Sequence, residues 1–129
     1  MPTTHRIIKA FTLLEVMLVV IIIGVLASFT LTRFSTVIER NISAEGASIL
    51  TALLGAQKRY QLENAAYTSN LNNLDLTIPA SKNFNAPTVA TSDPIATIQR
   101  NTTSFTLFID SSGNITCQPS AAICKKMGY

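Results

Sequence analysis

The chain has no Trp, one His and two Cys among 129 residues, and only 13% of its residues are charged. The single His is His5, ahead of the apolar part of the chain, so Ser-His, Cys-His and His-ligated metal chemistry lack the partners they need. No Gly-rich phosphate loop is present. Asp75, Asp93 and Asp110 stand far apart, leaving neither a catalytic carboxylate pair nor a calcium loop of the EF-hand type. An enzyme is therefore not expected, and neither is a cofactor or a metal. Pro is absent from Thr3 to Ile78, which permits a long unbroken helix.

What the chain does contain is apolar and unevenly spread. Its 47% apolar content is too high for disorder at this charge. Val16 to Leu26 is almost wholly aliphatic, whereas Asn64 to Tyr129 is rich in Asn, Thr, Ser and Ala. The formal charge is +3, but Arg6 and Lys9 precede the apolar run. Without residues 1–10 there are 8 basic and 7 acidic side chains, a net of +1. The basic pI thus reports an N-terminal tag, and nucleic acid is not expected as a partner.

Phe11 to Leu31 is a run of 21 mostly apolar residues, roughly 30 Å as a helix, enough to cross a bilayer. Basic residues before it keep that end cytoplasmic and place the remainder outside. Val25-Leu26-Ala27 also offers a small-residue cut before Ser28, so a secretory signal and a plain anchor are both open readings. Glu15 argues against both. A carboxylate inside a membrane helix costs about 2.5–3.5 kcal/mol and marks a function by default. Its nearest downstream cation, Arg33, lies about 27 Å along a helix. A cut between Ala10 and Phe11 would create an α-amine that could pair with it.

The segment Lys9-Ala10-Phe11-Thr12-Leu13-Leu14-Glu15, with the run to Ala27, resembles the class III signal of type IV pilins and pseudopilins. The resemblance implies that a prepilin peptidase cuts after Ala10 and N-methylates Phe11. It implies that Glu15 neutralises the terminal amine of an adjacent subunit, and that an assembly ATPase and a platform protein drive polymerisation. Two positions depart from the family pattern. Ala10 stands where Gly is usual, and Thr32 stands where a Pro is frequent, so any assembly-linked melting would rest on Gly24.

Beyond the run, Leu31, Phe34, Ile38, Ile42, Ile49, Leu53, Ala56 and Tyr60 recur at steps of three and four around Gly46, which predicts one stripe of an amphipathic helix. Glu39, Arg40, Glu45, Gln57 and Lys58 are expected on its other faces, and Gly46 and Gly55 at close contacts. Lys58-Arg59 reads as a solvated face. Residues 64–85 read as loop, with Tyr60, Tyr67, Leu71 and Leu74 tucking it onto the helix, and 84–94 as further loop because of Pro87 and Pro94. Residues 95–100, 104–110 and 114–117 read as strands, too closely spaced for crossovers and therefore antiparallel. Cys117 and Cys124 should pair in an oxidising compartment, and the resemblance makes 117–124 an exposed, partner-contacting loop.

The expected fold is α+β. Residues 1–10 form a cleaved leader. Residues 11–63 form a long protruding helix whose 11–31 segment sits in the membrane or filament core. Residues 64–129 form a small head with an antiparallel sheet. The expected function is a structural subunit of a type IV pilus-like filament, self-associating, held in the inner membrane as a precursor and extracellular or periplasmic when assembled. A type II secretion pseudopilin is the alternative, set second because its commonest major forms rely on a calcium site. A DNA-capturing minor pilin and a monomeric anchored binding module rank behind it.

Overall fold

A computed structural model describes residues 11–102, 105–119 and 121–129, with nothing assigned to the side chains of 29–33. Ala10 and Ser104 lie outside the described residues. The chain divides into two compact units, one ending at Ser35 and the other comprising Thr36–Tyr129. One helix, α1 (Leu13–Asn64), contributes to both, close to the expected 11–63.

In the first unit every described side chain from Phe11 to Ser28 is exposed. Twelve large apolar residues from Leu13 to Leu26 are exposed, by 47% to 78%. Val and Ile lose rotamer freedom in a helix, yet no Pro interrupts the backbone ladder and the helix persists. Among the described residues no helix is long and apolar enough to cross a membrane. The apolar stretch with described side chains, Leu13–Ser28, has 16 residues, about 24 Å of helix, and the sequence continues with Phe29-Thr30-Leu31.

The second unit packs the rest of α1 on a four-stranded antiparallel meander in the order β1 (Thr88–Val89), β2 (Ala96–Gln99), β3 (Thr106–Ile109) and β4 (Ile115–Gln118). Ala96 faces Ile109 and Leu107 faces Cys117 in the ladders. Period-two alternation puts Ala96, Ile98, Phe105, Leu107 and Ile109 in the core, as their pattern predicts. They bury Leu50, Leu53 and Ala56 of α1. Phe84 meets Phe105 edge to face at 6.0 Å, a favoured aromatic geometry. Tyr60, Tyr67 and Leu71 pack around this core, and Leu74 joins it.

Four expectations need correction. The loop read over 84–94 contains β1, an edge strand whose pairing with β2 avoids both prolines. A second helix, α2 (Ala121–Met127), follows β4 where the reading had only a loop. Gly46 is a close contact, since a Cβ there would lie 2.6 Å from Phe84 Cζ, but one on Gly55 would meet only Arg59 Nη1 at 3.6 Å. Finally, the buried face of α1 runs through Ser43, Gly46, Leu50, Leu53, Leu54 and Gln57, while Phe34 and Ile38 of the expected stripe are exposed. Gln57 is thus inside the core, not on an outer face.

The turns follow from their residues. Gly113 has φ +93° in the β3–β4 hairpin, a left-handed value that suits glycine. The Asp110 carboxylate fastens the same turn by accepting from the Asn114 amide at 2.8 Å and its side-chain Nδ2 at 2.9 Å. Those bonds hold the Asp110 carboxyl below its ordinary range.

Candidate assembly segment

The N-terminal end of α1 is built by a local device. Thr12 precedes the helix, and its Oγ1 accepts from the Glu15 amide at 3.2 Å while its carbonyl accepts from the Val16 amide at 3.3 Å. Thr12 is therefore the N-cap and Glu15 the third helical residue. Thr-x-x-Glu is the spacing of a capping box, a signal present in the sequence but eclipsed by the apolar run around it. Glu15 consequently lies in the first turn, where the free amides and the positive pole of the helix favour a carboxylate. Part of its compensation is supplied by its own helix before any amine is considered. Gly24 has nothing within 4 Å of a Cβ position.

In the second unit, side chains of α1 hold the head at several points. Glu39 pairs with Arg100, and the Arg100 guanidinium also lies over the Phe105 ring at 5.6 Å. Glu45 accepts from Ser81 Oγ at 2.6 Å and Asn83 Nδ2 at 2.7 Å, and these donors lower its carboxyl pKa. Gln57, with no solvent exposure, donates to the Thr68 carbonyl at 2.6 Å and accepts from the Thr68 amide at 3.0 Å. Arg59, read as part of a solvated face, grips Asp75 with two bonds of 2.8 Å. No alternation in the sequence marks these residues, because their partners lie elsewhere in the chain, most of them in loops without periodicity.

Cys117 and Cys124 form a disulfide with Cα atoms 5.6 Å apart. It ties β4 to α2, and Cys124 and Met127 are buried, so the 117–124 segment is partly a packed element. The α2 end is closed by Gly128, φ +99°, and by Arg40 Nε donating to the Lys126 carbonyl at 3.0 Å. Among the described residues no group of His, Cys, Asp and Glu is placed to hold a metal.

Several known proteins are similar to parts of this chain in sequence. The chain is 36% identical over 72 residues to type II secretion system core protein G of Klebsiella pneumoniae, covering 56% of this chain and 51% of that protein. It is 35% identical over 82 residues to core protein G of Aeromonas hydrophila, covering 64% and 53%. It is 47% identical over 45 residues to type IV major fimbrial protein FimA of Dichelobacter nodosus, covering 35% and 28%. The chain is thus similar to type IV pilins and type II secretion pseudopilins, at modest identity. No family model matches it, and no solved structure does. The chain spans about half the length of the core protein G relatives and under a third of FimA. The long helix, antiparallel sheet and C-terminal disulfide are a pilin-like α+β arrangement. Within it the two candidate regions are distinct: the exposed segment 11–28 belongs to the first unit, and the disulfide-tied α2 to the second.

Proposed function

We propose that this pilin-like chain is the structural subunit of a type IV pilus-like filament, cut between Ala10 and Phe11, N-methylated at Phe11, and polymerised from the membrane through residues 11–31. One observation carries the reading: a helical stretch with twelve large apolar side chains exposed and one carboxylate, Glu15, in its first turn. Leaving such a surface in water costs on the order of 20 kcal/mol, more than the roughly 5–15 kcal/mol by which a domain is stable. Lipid covers it in the precursor, and neighbouring copies cover it in the filament. Cleavage creates an α-amine at the positive pole of α1, an unfavourable place for a cation. A neighbour's Glu15 offsets that cost and fixes the register between subunits, while the aliphatic run supplies the burial. The prepilin peptidase, assembly ATPase and platform protein are partners on this reading, and the family's structural relatives support a role other than catalysis.

The second reading, a pseudopilin of a type II secretion machine, is favoured by the length of the matches: 72 and 82 residues for core protein G against 45 for FimA. Deleting the gene in its native host separates the two, through loss of surface fibres or through retention of exported proteins in the periplasm. For either filament, Glu15→Val should leave cleavage before Phe11 intact, the processed chain differing in mass only by the substitution itself, and abolish filaments recovered by shearing. Normal filaments from that variant would remove Glu15 from the mechanism.

A further inference from the structure

The last turn of α2 carries cations that neither the core nor the assembly segment uses. Arg40 Nε reaches the Lys126 backbone carbonyl at 3.0 Å, which sets the Arg40 side chain against the last turn of α2, the turn that carries Lys125 and Lys126. All three are exposed, and among the described residues no ion pair engages them. The acidic groups near them on α1 are committed elsewhere, Glu39 to Arg100 and Glu45 to Ser81 and Asn83. Val37, one turn before Arg40 on the same helical face, is an apolar side chain 54% exposed. Tyr129, 39% exposed, follows α2 directly and interacts through its hydroxyl with Ser43. Cations, an aliphatic residue and an aromatic with a polar tip form the composition of a membrane-interfacial surface.

We propose that Arg40, Lys125, Lys126 and Val37 form a foot that rests on anionic phospholipid headgroups of the membrane holding the precursor. The inference builds on the anchoring of residues 11–31. Nine residues of chain separate Leu31 from Arg40, about 14 Å if helical and at most about 32 Å if extended. Arg40 is therefore tethered within that distance of the end of the apolar run, which leaves the headgroups within its reach. Lysines in the last turn of α2 also complement its dipole, but that role needs no lipid. The foot does: it holds the head against the outer leaflet before assembly, and releasing it is part of extracting the subunit.

The test uses the full chain reconstituted into vesicles of phosphatidylcholine alone or with added phosphatidylglycerol. Acetylation of Lys125 and Lys126 is followed by mass spectrometry, with exposed Lys58 as internal reference. With phosphatidylglycerol, the Lys125 and Lys126 rates relative to Lys58 should fall roughly threefold or more. High salt should reverse the effect, because screening shortens the reach of surface charge. Arg40→Gln should weaken the effect in anionic vesicles and change nothing in neutral ones. Equal ratios in both vesicles, with the chain floating with each, would overturn the foot while leaving the anchor intact. A chain that floats with neither would instead overturn the anchoring on which the inference stands. Protection that appears only in assembled filaments, without anionic lipid, would assign the cluster to subunit contacts and also overturn the proposal.

Discussion

Gln57→Leu removes a polar side chain from the centre of the head without changing the volume of the site much. Gln57 has no solvent exposure and satisfies both the amide and the carbonyl of buried Thr68. Leucine leaves those two groups unpaired, at about 1–3 kcal/mol each, and recovers part of that by burying apolar surface. The net loss should be about 2–4 kcal/mol. The assay is urea unfolding of the full chain in mild detergent, read by tyrosine emission from half-buried Tyr60 and Tyr67, with hydrogen exchange at Thr68. The midpoint should fall and the Thr68 amide should exchange faster than its neighbours in the core strands. A stability change under about 0.5 kcal/mol with Thr68 still protected would refute the view that Gln57 pins the loop to the helix.

Three further outcomes follow from the same packing. Gly46→Ala should destabilise by about 1–3 kcal/mol through overpacking against Phe84, whereas Gly55→Ala, where the space is open, should be neutral or stabilising by up to about 1 kcal/mol; paired urea titrations decide. Replacing Cys117 and Cys124 by Ser should cost about 2.5 kcal/mol by the loop-closure relation for this short loop, with α2 losing hydrogen-exchange protection first. Glu45 has a folded pKa below its unfolded value because Ser81 and Asn83 donate to it. Its contribution is therefore present above the unfolded pKa and is lost as pH falls through the folded one. Glu45→Gln should flatten that acid limb in unfolding curves measured against pH.

The parts of the molecule legible in the sequence are those with a period. The step of three and four in α1 and the alternation through Phe105, Leu107 and Ile109 both led to the observed elements. The disulfide followed from there being only two cysteines. What stayed hidden depends on partners distant in sequence. Gln57 and Ser43 are polar residues on a buried face, and polarity alone sends them outward until Thr68 and the α2 end are in place. β1 has two residues, too short for alternation, and is held by β2. α2 has seven residues and little apolar patterning, with Cys124 and Met127 as its buried anchors. Phe34 and Ile38 continue the apolar stripe but are exposed, one on each side of the division between the units. Glu15 stands out in the sequence as a charge inside an apolar run, while Thr12 as its cap needed the hydrogen bond to be seen.

The account turns on where the chain begins once it is in a filament. Filaments sheared from the native host should be purified, and the intact subunit should be weighed and sequenced from its N-terminus. A chain starting at N-methyl-Phe11, with Cys117 and Cys124 oxidised, is the predicted result. A filament subunit that starts at Ser28 or retains Met1 would contradict it, since the first lacks Glu15 and the second has no free amine at Phe11 for Glu15 to pair.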